Sequence, residues 1–159
     1  MKKKLYLICP DCNLEENIRR EFGNHTYCLT ALGSVFNISD FTYAEEINHL
    51  LNREGISDIC VVNAIHCSFL ANAITQKENY NTRPEKVLRD LYESNLDRFD
   101  SLRLSQQQKI LARLNIYRQV KELIRTPIIG NKIKEHSINV IGLMYDRTDQ
   151  SFERLSFNI

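Results

Sequence analysis

The chain has 159 residues, of which 43% are hydrophobic and 26% are charged, and its formal net charge is +1. This size and composition predict a single domain, residues 1–159, that buries enough surface to fold without a disulfide framework. The small net charge, with no basic stripe beyond Lys2–Lys4, argues against nucleic-acid binding, and no apolar run is long enough to span a bilayer.

The first part of the chain alternates a short apolar run with an amphipathic segment. Leu5–Ile8 predicts a buried strand, and Leu14–Phe22 predicts a short helix because its apolar residues recur every four positions. Gly23 ends that helix, and Thr26–Leu32 is a second candidate strand.

The middle of the chain repeats this alternation with a stronger strand signal. Thr42 and Glu45 have the spacing of a capping box, and the helix that they begin ends at Gly55. Asp58–Ile65 is a nearly continuous run of β-branched and apolar residues, which is typical of a strand covered on both faces. Phe69–Ile74 is predicted to be helical.

The last part of the chain predicts two longer helices and two closing strands. Pro84 fits the first turn of a helix that carries apolar residues as far as Phe99, and Ser105–Arg125 forms a second amphipathic helix. Ile138–Tyr145 and Phe152–Ile159 are the closing strands. The whole pattern predicts a three-layer α/β fold, with a mostly parallel central sheet and an antiparallel edge strand.

Two cysteine-containing loops follow strands of this predicted sheet. Cys9 and Cys12 come just after the first strand, and the segment from Ala64 to Cys67 comes just after the central strand. Ligands of parallel sheets bind beyond the carboxyl ends of the strands, so we expect these loops to face each other. The five cysteines are an odd number, which fits free thiols in a reducing cytoplasm better than a secreted scaffold.

The residues of these loops permit three interpretations. Cys9 and Cys12 between a strand and a helix are similar to a glutaredoxin dithiol, although Pro84 and Pro127 both border helices and neither fits that family's cis-proline loop. A metal site is the second interpretation, because tetrahedral zinc takes four soft or borderline ligands. The candidate ligands are Cys9, Cys12, His66 and Cys67. Third, the cysteines could simply pack as small hydrophobic residues, as we expect of Cys28 and Cys60.

Five segments of the chain also occur in a recognisable order. They are CPDCN from Cys9, FTYAEEINHLL from Phe41, VVNAIHCS from Val61, NIYRQVKEL from Asn115 and GLMYD from Gly142. In this order they resemble the β-class carbonic anhydrases over nearly the whole chain. That family has Cys-x-Asp-Ser-Arg at the first segment and Gly-His-x-x-Cys-Gly at the third.

The resemblance implies a zinc site that is incomplete in this chain. Two zinc-ligand cysteines are matched by Cys9 and Cys67, but Ala64 stands where the family has its ligand histidine. The family aspartate is matched by Asp11, whereas Asn13 replaces the arginine that holds the aspartate away from the metal. The family's Arg-Asn-Ala-Gly-Asn loop is also weakened, to TALGS over residues 30–34.

These departures predict a divergent relative with a degenerate zinc site and weak or no CO2 hydration. Without its arginine partner, Asp11 could bind the metal, and His66 could replace the missing imidazole if its ring turned inward. The expected metal candidates are therefore Cys9, Cys67, Asp11 and His66, with Asp11 also the candidate catalytic residue.

Three hypotheses about function remain at the level of the sequence. The first is a relative with little or no catalysis that binds a bicarbonate-like anion, a metal or a partner. The second is an active zinc lyase that uses His66, and the third is a thiol redox protein that uses Cys9 and Cys12. The resemblance also implies a homodimer. The apolar final strand, Leu155–Ile159, would be an exposed edge of the sheet, so we predict that it lies at a subunit contact.

Overall fold

The computed structural model describes residues 1–157, which form five strands and six α-helices. In chain order the elements are β1 (Lys3–Ile8), α1 (Glu15–Phe22), β2 (Thr26–Thr30), α2 (Phe41–Glu54), β3 (Ile56–Ala64), α3 (Ser68–Thr75), α4 (Arg83–Glu93), α5 (Leu104–Arg125), α6 (Pro127–Glu135), β4 (Asn139–Asp146) and β5 (Ser151–Leu155).

The strands form one sheet in the order β2-β1-β3-β4-β5. The first four are parallel, and β5 pairs antiparallel with β4 at the edge. With helices packed on this sheet, the predicted three-layer α/β fold is confirmed. The order matters for function because β1 and β3 are neighbours, so the loops that follow them leave the same edge of the sheet.

The core lies on the two central strands. Leu5–Ile8 of β1 are all fully buried, and the second half of β3, from Ile59 to Ala64, is buried throughout. This explains the continuous apolar run in β3, because a central strand of a parallel sheet is covered on both faces. Helix α5 packs on β3 and β4 and contacts α3 and α4.

Several element boundaries differ from the sequence-based prediction. The cap of α2 is Asp40, whose carboxylate accepts the Tyr43 N–H at 3.0 Å, so the predicted capping box at Thr42 is wrong. Helix α4 ends at Glu93, well before Phe99, and a separate short turn follows it. The last strand ends at Leu155 rather than continuing to Ile159, which lies outside the described residues.

Helix α6 is absent from the sequence-based prediction, which has Pro127 lying just beyond a helix end. Pro127 is also the first residue of α6, where its missing N–H costs nothing. Gly130 then allows α6 to approach α5 closely, because a Cβ at Gly130 would lie 2.1 Å from the carbonyl oxygen of Ile124. None of the helices within residues 1–157 combines the length and the apolar character that a bilayer crossing requires.

Candidate metal centre

The first part of the site is a tight turn that follows β1. Pro10 begins a turn of 3₁₀ helix, and the N–H of Cys12 donates to the carbonyl of Cys9 at 3.3 Å. Asn13 ends the turn in a left-handed conformation with a φ of 50°. Residues i and i+3 lie close together across such a turn, so the turn brings the Cys12 side chain back towards Cys9.

The second part of the site follows β3. Ile65 and His66 make a short turn after the strand, and the N–H of Cys67 donates to the carbonyl of Ala64 at 3.2 Å. Cys67 is the N-cap residue of α3, and its backbone carbonyl accepts the N–H of Leu70. Because β1 and β3 are parallel neighbours, Cys67 leaves the sheet at the same edge as Cys9.

The two turns place three sulfur atoms together. The Sγ atoms of Cys9, Cys12 and Cys67 all lie within 4.8 Å of one another, and the side chains are buried, with 1%, 8% and 1% of their surface exposed. Sulfurs that share one tetrahedral zinc lie about 3.8 Å apart, given a Zn–S bond of about 2.3 Å. The predicted meeting of the two loops is confirmed, and this donor set fits a metal ion of zinc's size and softness.

The three thiols are electrostatically coupled. Hydrogen bonds from the Cys12 and Cys67 thiols, together with the backbone N–H groups of Asp11 and Gly33, lower the pKa of Cys9. Hydrogen bonds with Cys67 and Cys9, followed by burial, raise the pKa of Cys12. Cys67 is stabilised as a thiolate by Cys12, but Cys9 and burial outweigh this and raise its pKa. One negative charge is therefore favoured at Cys9, and ionising all three thiols requires a cation among them.

A third segment of the chain contributes Gly33, which makes a hydrogen bond to the Cys9 sulfur. It lies in the short turn Leu32–Ser34 after β2, and its N–H donates to Cys9 Sγ at 3.2 Å. Its φ of 65° is in the left-handed region. A Cβ at Gly33 would lie 3.1 Å from Leu88 Cδ1 and 3.2 Å from Phe69 Cβ, so both conformation and space favour glycine.

Replacing Gly33 with alanine is expected to lower the free energy of unfolding by about 2 to 3 kcal/mol, because left-handed strain and crowding act together. Gly55 provides a matched control. Its φ of 63° is nearly the same, but nothing lies within 4 Å of the Cβ that alanine would add. Gly55→Ala should therefore cost only the strain, about 1 kcal/mol. Urea denaturation of both variants measures the difference, and equal losses would contradict a role for crowding.

A buried polar network holds the Gly33 turn against the core. Asn115 of α5 is fully buried, and its amide donates to Asn63 Oδ1 at 2.7 Å and to the carbonyls of Gly33 and Ser34 at 3.1 Å and 3.4 Å. The Ser34 hydroxyl in turn donates to the carbonyl of Val62 at 2.8 Å. This network links α5 and β3 to the turn that contacts Cys9.

Comparison with known proteins identifies the fold around this cluster. Residues 5–151 match the family model described as carbonic anhydrase. The chain belongs to the β-carbonic anhydrase family. A search of curated protein sequences returns no match.

Solved structures of β-carbonic anhydrases share the fold at low sequence identity. The crystal structure of CafA from Aspergillus fumigatus has a TM-score of 0.84 and 21% identity, covering 98% of this chain and 76% of that one. A tetrameric β-carbonic anhydrase from Sordaria macrospora has a TM-score of 0.84 and 16% identity, covering 98% and 81%. The Coccomyxa β-carbonic anhydrase in complex with acetazolamide has a TM-score of 0.82 and 15% identity, covering 99% and 73%.

Within this β-carbonic anhydrase fold, the predicted site residues do not all lie together. Cys9 and Cys67 belong to the sulfur cluster, and Cys12 joins them. Asp11 is exposed on the turn, and among residues 1–157 neither Asp11 nor His66 belongs to the group of potential ligand atoms within 4.8 Å of one another. Their assignment as metal ligands stays a prediction.

His66 lies beside the cluster in a half-buried position. Its ring packs edge-on against that of Tyr145, with the centroids 6.2 Å apart, and its Nδ1 is buried without a hydrogen-bond partner in the described part of the chain. Burial, followed by the nearby charge of Arg147, lowers the pKa of His66, so the neutral ring is favoured.

The supporting residues Gly33, Asn63 and Asn115 are not identified by the sequence alone. Gly33 lies in the TALGS loop, which by sequence is only a weakened match to the family loop. Asn115 is the first residue of a segment that matches the family, but the match assigns it no role. Only Asn63 could have been noticed from the sequence. It is a polar residue within an apolar strand that is expected to be buried, so it should need a hydrogen-bond partner there.

Proposed function

We propose that this protein is a zinc-binding member of the β-carbonic anhydrase family that hydrates CO2 weakly or not at all. One observation supports both parts of the proposal. The thiols of Cys9 and Cys67 are in reach of a common ion, yet no imidazole in residues 1–157 belongs to that cluster. The resemblance accounts for the difference, because Ala64 occupies the position of the family's histidine.

The donor set disfavours the chemistry of a hydratase. Bound zinc supplies Lewis-acid chemistry, which depends on an open coordination position and on ligands that leave the ion electron-poor. Replacing a neutral imidazole by an anionic donor adds negative charge at the site. Candidates for that third donor are Cys12, Asp11 and His66, and the first two are anionic when they bind a cation.

The surroundings of the cluster support the same conclusion. Asn13 stands where the family has an arginine, so the described chain offers Asp11 no equivalent cationic partner from this position. Cys9 and Cys67 are each only 1% exposed, so little of their surface is in contact with solvent. Asp11, the candidate catalytic group, is exposed and lies outside the group of ligand atoms within 4.8 Å of one another.

The proposal is tested by metal analysis together with an activity measurement. Protein expressed without a tag and with zinc in the medium should contain about one zinc ion per chain. Stopped-flow measurement of CO2 hydration should give a rate close to that of the buffer alone. Hydration clearly above background would contradict the proposal, and its loss in His66→Ala would favour the alternative of an active lyase that uses His66.

The redox alternative requires Cys9 and Cys12 to exchange with an external disulfide. Their sulfurs are within bonding reach after a small movement, since all three sulfurs of the cluster lie within 4.8 Å. Burial disfavours this function, because thiol exchange needs access and these side chains are 1% and 8% exposed. It would also leave Cys67, the third sulfur, without a role.

We also propose that two copies of the chain associate, with β5 at or near the contact. As one of the two edge strands, β5 leaves one side of its backbone unpaired within the described sheet, and such edges are commonly covered by another chain. The Sordaria macrospora relative is described as tetrameric. Light scattering at micromolar concentration should give the mass of a dimer, and a monomer would contradict this proposal.

A bicarbonate-like anion remains the proposed small-molecule ligand, and a cytoplasmic location the proposed compartment.

A further inference from the structure

We infer that Cys12 is the third metal ligand of this protein, so that Cys9, Cys12 and Cys67 form a three-thiolate site for a thiophilic divalent cation such as Zn2+ or Cd2+. The inference rests on the metal binding in the proposed function, but not on the proposed lack of CO2 hydration. It names a ligand that the family resemblance does not supply, because the family motif has serine at this position.

The backbone already holds Cys12 in place for this role. The hydrogen bond from Cys12 N–H to the Cys9 carbonyl closes the turn at 3.3 Å, and Pro10 fixes its first residue. The left-handed Asn13 then directs the chain away into α1. Cys12 therefore reaches the cluster without any rearrangement of the backbone, whereas Asp11, in the middle of the same turn, is exposed.

A shared cation accounts for all three sulfurs. A disulfide between any two of them would leave the third thiol buried and unused. Packing as small hydrophobic residues does not require three sulfurs from two loops to converge within 4.8 Å, with a backbone N–H from Gly33 aimed at one of them. Buried groups that carry negative charge when ionised are normally paired or bind a metal.

The competing ligands are less well placed. His66 is the neighbour of Cys67, but its ring packs towards Tyr145, at a centroid distance of 6.2 Å, and it lies outside the group of converging ligand atoms. Asp11 also lies outside that group. The chain has thus lost one soft-to-borderline ligand at Ala64 and gained a softer one at Cys12, which should shift metal preference towards thiophilic ions.

Cadmium provides a direct count of metal–sulfur bonds through its sulfur-to-metal charge-transfer absorbance. Metal-free, reduced protein would be titrated with Cd2+ as the wild type and as Cys12→Ser, Cys28→Ser, Asp11→Asn and His66→Ala. We expect Cys12→Ser to lose about one third of the absorbance per bound ion and to bind Cd2+ at least about tenfold more weakly. The other three variants should match the wild type.

Cys28→Ser is the matched control, because Cys28 is a free cysteine of β2 that lies outside the cluster. Serine at position 12 is also the residue of the family motif, so the variant is expected to fold, and circular dichroism would verify this. If it does not fold, alkylation of the wild type provides a second test. Cd2+ should protect Cys12 from iodoacetamide together with Cys9 and Cys67.

Each outcome bears on a different proposal. Full absorbance in folded Cys12→Ser, or alkylation of Cys12 at the wild-type metal-free rate in the presence of Cd2+, would overturn the inference. Weaker Cd2+ binding by His66→Ala or Asp11→Asn, together with wild-type absorbance and affinity in Cys12→Ser, would also overturn it, in favour of those ligands. Fast CO2 hydration by a protein that shows three Cd–S bonds would refute the proposed function and leave the inference standing.

Discussion

Introducing at three positions the residues that the family resemblance implies there is expected to raise kcat/KM for CO2 hydration by about tenfold or more, on the scale of the effects that ligands and their partners have at metal sites. The variant is Cys12→Ser with Asn13→Arg and Ala64→His. It removes one thiolate, adds a neutral imidazole, and gives Asp11 a cationic partner. Two of the changes reduce the negative charge available to the metal, and the imidazole supplies a neutral donor in place of the thiolate. Together they favour the Lewis-acid chemistry of the metal.

The matched control for this experiment is Cys12→Ser with Asn13→Arg alone, which leaves Ala64 in place. It should bind zinc more weakly than the wild type and show no gain in hydration, because it has lost a donor without gaining one. Equal activities of the double and triple variants would show that the imidazole position is not what limits catalysis. The absence of an imidazole at position 64 would then not explain the proposed weak hydration.

The new imidazole must also fit into a buried position. Ala64 is 1% exposed at the end of β3, so the larger side chain could cost about 1 to 3 kcal/mol through overpacking. Thermal unfolding of the zinc-loaded and metal-free variants would separate this cost from a failure to bind metal. If histidine binds the ion, zinc should stabilise the triple variant more than the double variant.

The sequence is most informative where local pattern and sheet geometry agree. The apolar run of β3 indicates a central parallel strand, and the rule that ligands lie at the carboxyl ends of such strands then brings Cys9 and Cys67 together. Both predictions hold in the structure. They depend on periodicity and connectivity, which a single sequence carries.

The supporting contacts of the site cannot be derived in the same way. The hydrogen bond from Gly33 to Cys9 joins residues 24 positions apart, and that from Asn115 to Asn63 joins residues 52 positions apart. Their formation depends on how α5 and the turn after β2 pack over the sheet. Helix α6 escapes prediction for a different reason, because a proline that can end one helix can equally begin the next.

Removing the Asn115 amide is expected to have the largest effect on stability. Asn115→Ala should lower the free energy of unfolding by about 3 kcal/mol, because it deprives buried acceptors on Asn63 and Gly33 of their donor. Asn52→Ala is the matched control. It removes the same side chain from an exposed position of α2, so the change in helix propensity is similar and the loss should stay within about 0.5 kcal/mol.

The same substitution tests whether the core network positions the metal centre. Asn115 fixes the Gly33 turn, and Gly33 donates to Cys9, so Asn115→Ala should weaken Cd2+ binding, whereas Asn52→Ala should not. A double-mutant cycle with Asn63→Ala, measured by urea denaturation, should give a coupling energy of about 1 kcal/mol or more, since these residues share a 2.7 Å hydrogen bond. Additive effects on stability, or an unchanged cadmium affinity in Asn115→Ala, would show that the network stabilises the fold without supporting the sulfur cluster.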